Sequence, residues 1–270
     1  MKLPSTTEWL EISDRFQELW NIPNCIGAVD GKHVRIKKIP NSGSTNYNYK
    51  GYNSSILMAA CDADACFTMI EVGYAGRNSD GGVFRASRMG RWLRTNGDRL
   101  NLPNGSRLKY DREGGMFPYY FVADEAFPLA SYMMRPYPKR TLNNEKRIFN
   151  YRLSRARKTI ECAFGMITSK FGVLSTPIGC TNINTVNNII RSICVLHNFI
   201  RKKEGVRYRP TFRLDDEGIG QLPPNDIRLD REPQNFPQRL AANNLRDYLA
   251  RYFLQPLAAL PNQWNYCVNE

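Results

Sequence analysis

A chain of 270 residues with 42% hydrophobic residues can bury one large domain, or one domain with a substantial appendage. No window reaches the eighteen or so apolar residues of a membrane span, and Met1-Lys2-Leu3-Pro4 runs into a polar stretch, so neither a membrane partner nor a secretory signal is expected. The formal net charge of +13 favours polyanionic partners, nucleic acid or acidic membrane surfaces.

The cysteines number seven, an odd count, and include no C-x-x-C pair. This reads as a reduced intracellular chain without a zinc framework. The basic excess is unevenly spread. Residues 135–170 hold ten Lys/Arg against two Glu, a net of +8.

In chain order, Ser5 and Glu8 have capping-box spacing, and Trp9, Ile12, Phe16 and Leu19 recur at helical intervals, so residues 5–20 read as a helix. Three apolar runs follow, 26–36, 55–61 and 67–73; Asp62-Ala63-Asp64-Ala65 joins the last two as a hairpin would. Residues 40–51, rich in Asn, Ser, Gly and Tyr, read as irregular. After Gly76-Arg77-Asn78-Ser79-Asp80 the pattern turns helical through Val83, Phe84, Met89 and Trp92. Residues 119–123 form a short apolar run that suits a buried strand. A long helix is predicted over 144–171, with Phe149, Leu153, Ala156, Ile160, Ala163, Phe164 and Ile167 as its inner face. A second helix spans 186–203, a linker or extended wrap 204–238, and a final helix 240–254.

Three strands, a helical crossover, a fourth strand and then long helices fit an RNase H-like α/β fold: a mixed sheet flanked by helices, with a mostly helical C-terminal extension. The expected units are an N-terminal helix and lead-in (1–24), a catalytic domain (25–203), and a linker with its C-terminal helix (204–270).

Four carboxylates stand out. Asp30 and Asp124 each end an apolar run, where burial is costly unless the acid is paired or meets a cation. Asp80 lies in a turn at a helix start, where an N-cap is the commoner role. Glu161 lies in the long helix four residues after Arg157, and the two could be a plain i,i+4 ion pair, worth roughly 0.2–0.5 kcal/mol. Glu125 rivals Asp124 but should face the other way if strand alternation persists. Clustered hard oxygen ligands suit two-metal phosphoryl transfer, in which two Mg²⁺ or Mn²⁺ ions about 4 Å apart serve the attacking and leaving oxygens.

The run Ile26-Gly27-Ala28-Val29-Asp30-Gly31-Lys32-His33-Val34, then Tyr49-Lys50-Gly51-Tyr52, Gly76 through Asp80, Ala123-Asp124 with Pro128-Leu129, Arg157 through Gly165, and Val195-Leu196-His197-Asn198 together resemble the PIF/Harbinger-type DDE transposases and the nucleases derived from them. The motifs stand in order over about two-thirds of the chain. The resemblance implies an RNase H-like core with Asp30, Asp124 and Glu161 as catalytic acids. Asp80 would be an additional metal ligand, Mg²⁺ or Mn²⁺ the cofactor, and DNA the substrate that is cut and joined. It also implies a separate Myb-like DNA-binding partner and a nuclear location, with the cytoplasm as a further one; a homodimer is compatible. Two departures stand out. Asp124-Glu125-Ala126-Phe127 replaces the family's Asp-Ser-Gly-Tyr type sequence, losing a hydroxyl, and only about twenty residues precede the core where family members carry a helix-turn-helix-like region.

Lys32, Lys50, Arg152, Arg155, Arg157 and Lys158 are the DNA-binding candidates, the last four because their clustering beside Glu161 suits phosphate contact. Tyr47, Tyr49, Lys50 and Tyr52 interleave aromatics with a base, as single-strand binders do, although a Tyr-rich loop packed on the sheet fits equally. His33, three residues after Asp30, falls on the opposite strand face and suits a structural or DNA-backbone role. His197, on an apolar helix, reads as a core histidine. The leading function is a metal-dependent DNA endonuclease or transposase. The alternatives are a domesticated, catalytically silent DNA- or partner-binding protein and a hydrolase of small phosphate esters, the last disfavoured because a small substrate needs no extended basic surface.

Overall fold

The structure, a computed structural model, describes residues 1–95, 98–111, 114–208 and 236–266. Its first element, helix α1 (Thr6–Trp20), starts at the capping box read from the sequence: Ser5 Oγ accepts from Glu8 N while Ser5 N donates to Glu8 Oε2 at 2.6 Å. Such a cap contributes about 1 kcal/mol. Asn21, in the left-handed region at φ 54°, ends the helix and turns the chain into the sheet.

Strands β1 (Cys25–Arg35), β2 (Ser54–Cys61) and β3 (Phe67–Ala75) form the antiparallel meander. β4 (Tyr120–Val122) then lies parallel to β1, and β5 (Met133–Met134) parallel to β4, giving the order β3-β2-β1-β4-β5. This is the RNase H-like α/β arrangement. The crossover between β3 and β4 carries two short helices rather than one, α2 (Asp80–Ala86) and α3 (Arg88–Arg94). Ser87 separates them: its extended backbone ends α2 and its Oγ caps Gly90 N of α3. The fifth strand is absent from the sequence reading because two residues carry no alternation.

Both faces of β2 and most of β1 are buried, so these strands read as continuous apolar runs. On one face, Ala28, Leu57, Ala59, Cys61 and Val122 pack under α4 (Asn144–Lys170) and α5 (Ile183–Glu204). On the other, Ile26, Val29, Met58 and Phe121 pack against Trp9 of α1 and Val83, Phe84, Met89 and Leu93 of α2 and α3. Every residue read as the inner face of α4 is buried. The last helix, α6 (Phe236–Tyr252), folds back on α4, with Phe253 beside Phe149 and Tyr137 donating to Asp247. The linker expected at 204–238 lies mainly outside the described residues; its first residues form the end of α5 and one 3-10 turn, Gly205–Arg207. No helix among the described residues is long and apolar enough to cross a membrane.

Candidate active site

Parallel pairing sets two acids side by side. Gly27 pairs with Phe121 and Ala28 with Val122, so two residues further along the same register Asp30, midway along β1, comes abreast of Asp124, just past the end of β4. Asp30 follows Ala28, and Asp124 follows Val122, by one strand period, so both belong to the sheet face covered by α4. Asp30 Oδ1 accepts from Gly31 N at 2.8 Å, and Asp124 Oδ1 accepts from Ala126 N at 2.9 Å. Asp124 is half-buried, and its neighbour Glu125 is exposed.

Asp80 joins them from the crossover. The N-cap of α2 is Ser79, whose Oγ accepts from Gly82 N at 3.2 Å, so Asp80 is not spent on capping. Its carboxyl lies against Gly31, and a Cβ at that position would overlap Asp80 Oδ1. At Gly81 a Cβ would likewise meet the Ala126 carbonyl, so the first turn of α2 is wedged between β1 and the turn after β4. Asp80 Oδ1 is buried without a hydrogen-bond partner. An unsatisfied buried carboxyl oxygen costs free energy and needs a proton or a cation.

The electrostatics reflect the crowding. Burial, then the charges of Asp124 and Asp80, push the Asp30 carboxyl up to about 8, against the opposing pull of Arg157. Burial and Asp124 push Asp80 up to about 6, with Lys50 opposing. Three carboxylates from three chain segments thus feel one another, and two basic residues only partly offset them.

Glu161 stands apart from this trio. Its side chain is half-exposed and accepts from Arg157 Nη2 at 3.3 Å, one helical turn back on α4. Arg157, 14% exposed, therefore links the two groups, touching Glu161 and acting electrostatically on Asp30. Among the described residues no three His, Cys, Asp or Glu side chains stand close enough together to hold a metal ion as they are. The chemistry of the donors nevertheless fits a hard divalent cation: ionisable oxygens only, one of them orphaned, and like charges held together in a partly dry site.

The basic candidates divide. Lys32 follows Asp30 by one strand period and sets its ammonium over the Phe164 ring, where burial lowers its pKa. Lys50 is exposed beside Asp80, and Arg155 and Lys158 are half-buried at the surface of α4. Arg152 corrects the expectation of a DNA contact. It is 2% exposed, donates to the carbonyls of Asn21 and Ala258 and to Gln263 Oε1, and lies 4.4 Å over Phe253. It ties α4 to the chain ends and reaches no phosphate. The signal was present, since Arg152 follows Phe149 by three and precedes Ala156 by four, on the inner face.

His33 Nδ1 pairs with Ser54 Oγ at 2.8 Å, and burial lowers its pKa to about 4, so the ring is neutral at ordinary pH. His197 is a core histidine, fully buried between Tyr208 Oη at 3.0 Å and the Ala65 carbonyl at 2.8 Å.

The mixed sheet thus forms an RNase H-like core with Asp30 midway along β1 and Asp124 just past β4. The chain belongs to the Harbinger-type DDE family, the pattern of the DDE superfamily endonucleases matching residues 29–198. It is 26% identical over 217 residues to Protein ALP1-like of Arabidopsis thaliana and 23% identical over 201 residues to Antagonist of like heterochromatin protein 1 of the same plant. It is 28% identical over 191 residues to HARBI1 of Bos taurus, named provisionally as a nuclease. These alignments cover 78%, 74% and 69% of this chain but only 50%, 50% and 49% of the relatives, so the chain spans about half the length of the relatives it matches. No solved structure matches it.

Proposed function

We propose that the chain is a divalent-metal-dependent DNA endonuclease or transposase acting in the nucleus, with Asp30, Asp124 and Glu161 as its catalytic acids and Asp80 as a further metal ligand. The observation that carries this reading is the gathering of Asp30, Asp80 and Asp124, where burial first and the neighbouring carboxylates second push Asp30 up to about 8. Acids held at such a cost are stabilised by a cation, and the family supplies the class of enzyme. Mg²⁺ or Mn²⁺, when bound, would polarise the scissile phosphate and lower the pKa of the attacking water or 3′-hydroxyl.

The chain's own residues set the rest. β1 and β4 hold Asp30 and Asp124 at fixed register, and Gly31 leaves room for Asp80 to approach. Arg157 pairs with Glu161 and supplies a fixed positive charge near Asp30. Lys50, Arg155 and Lys158 would neutralise backbone phosphates on either side of the acids. A Myb-like partner would supply sequence recognition, and a homodimer would bring two such sites together.

Cleavage of supercoiled plasmid in Mn²⁺, alone and with the partner, tests this reading. A second reading, a domesticated protein that binds DNA or a partner without catalysis, draws on the pairing of Glu161 with Arg157 instead of with the aspartates. Absence of nicking under every metal and partner condition would leave that second reading standing.

A further inference from the structure

The loop between β1 and β2 carries Tyr47, Tyr49, Lys50 and Tyr52 within six residues, and the structure treats them differently. Tyr52 turns inward under the Arg35 guanidinium, 4.5 Å from its ring centre. Tyr47 and Tyr49 remain 52% and 67% exposed. An exposed aromatic on a slack loop would be unremarkable, but this loop is pinned. Asn48, 3% exposed, accepts from Lys50 N at 3.0 Å and from Tyr52 N at 3.3 Å through Oδ1, while its Nδ2 donates to Ser54 Oγ at 3.0 Å. Ser54 in turn pairs with His33, whose ring meets the Tyr49 ring edge-on at 5.7 Å. Backbone bonds from Ser54 N to the Asn46 carbonyl and from Arg77 N to the Thr45 carbonyl close the other side.

The pinned loop stands beside the acids. Lys50 Nζ lies 5.5 Å from the Tyr49 ring centre, and its charge reaches Asp80, Lys32 and His33. A rigid loop thus presents an aromatic ring that is 67% exposed, with a lysine ammonium over it and the His33 ring set edge-on to it, on the side of Asp80. That pairing of a π-face with a base suits one ligand chemistry, an unstacked nucleobase whose phosphate meets the lysine. A duplex keeps its bases stacked and paired and offers only phosphates to such a loop.

We propose that Tyr49, held by the His33–Ser54–Asn48 network, is a stacking platform for an unpaired nucleotide beside the acid cluster. The chain then prefers DNA with a frayed or single-stranded segment at the point of attack. This rests on the reading of the site as a DNA-processing centre and specifies the form of DNA it takes.

The test is binding of the full chain, in Ca²⁺, to a fluorescent single-stranded oligonucleotide and to the same sequence as a blunt duplex. Tyr49→Leu should weaken single-strand binding between about fivefold and 150-fold, the equivalent of one lost base–aromatic stack, and leave duplex binding unchanged. Tyr49→Phe should restore it. Because Tyr49 is exposed, neither variant disturbs the core. Equal loss on both probes, or no loss on either, would overturn the platform and leave the DNA-processing reading intact. A wild-type chain that binds neither probe would overturn both.

Discussion

The Asp80 carboxyl lies so close against Gly31 that no Cβ fits between them. A glycine one residue after Asp30 in β1 is therefore what lets a second acid enter from α2. Gly31→Ala forces one of them to move. Overpacking of this kind costs typically 1–3 kcal/mol, and the double variant Gly31→Ala/Asp80→Ala should recover most of it. Urea unfolding of the four proteins in a double-mutant cycle reads the coupling. Additive effects would mean that the two residues do not share the space.

Stability should depend on pH through the same cluster. Asp30 titrates near 8 in the folded chain against an ordinary 3.8, so the folded state holds a proton that the unfolded chain has released. The stabilising contribution is fully present below about pH 4 and is lost as pH rises through about 8, at up to roughly 1.4 kcal/mol per pH unit. Asp80 adds a smaller contribution of the same sign, lost as pH rises through about 6. Without divalent metal, chemical denaturation from pH 5 to 8 should show a shallower decline for Asp30→Asn than for the parent. Adding Mn²⁺ should flatten the parent's decline, because the metal favours the ionised carboxylates. Identical slopes in the two proteins would show that Asp30 is not held in a raised state.

The basic helix should separate into two kinds of residue. Replacing Arg155 or Lys158 should lower the slope of log K against log salt by about 0.9 for each lost phosphate contact on duplex DNA, with thermal stability unchanged. Arg152→Ala should act on the fold instead, because it removes a buried donor set and leaves the carbonyls of Asn21 and Ala258 without their partner. A loss of about 3 kcal/mol is expected, as for other broken buried networks. If Arg152→Ala changed only the salt slope, the buried position would be wrong.

Much of this was legible in the residues. The capping box, the three long strands, the short fourth strand and the two long helices follow from period and punctuation, and the apolar runs that stop at Val29 and Ala123 point to Asp30 and Asp124. What escaped had physical reasons. β5 has two residues and no pattern of its own; it exists because β4 offers a free edge. The break at Ser87 was hidden because helical spacing continues across it. The placing of Asp80 depends on what stands at Gly31, a tertiary relation with no local signature. Arg152 was misjudged because charge composition outweighed its place in the helical period. Glu161 has sequence spacing that suits a pair with Arg157 and also a site acid, and the geometry shows the pair.

The most direct measurement compares Asp124→Asn with Glu125→Gln in nicking of supercoiled plasmid with Mn²⁺, with the DNA-binding partner present. The two substitutions are neighbours and nearly isosteric, but Asp124 stands half-buried abreast of Asp30 whereas Glu125 is exposed. Charge neutralisation and positioning supply most of the rate in phosphoryl transfer. Asp124→Asn should therefore lose nearly all cleavage while DNA binding survives or tightens slightly, and Glu125→Gln should cut like the parent. Equal loss in both variants, or undiminished cutting by Asp124→Asn, would contradict the assignment of the site.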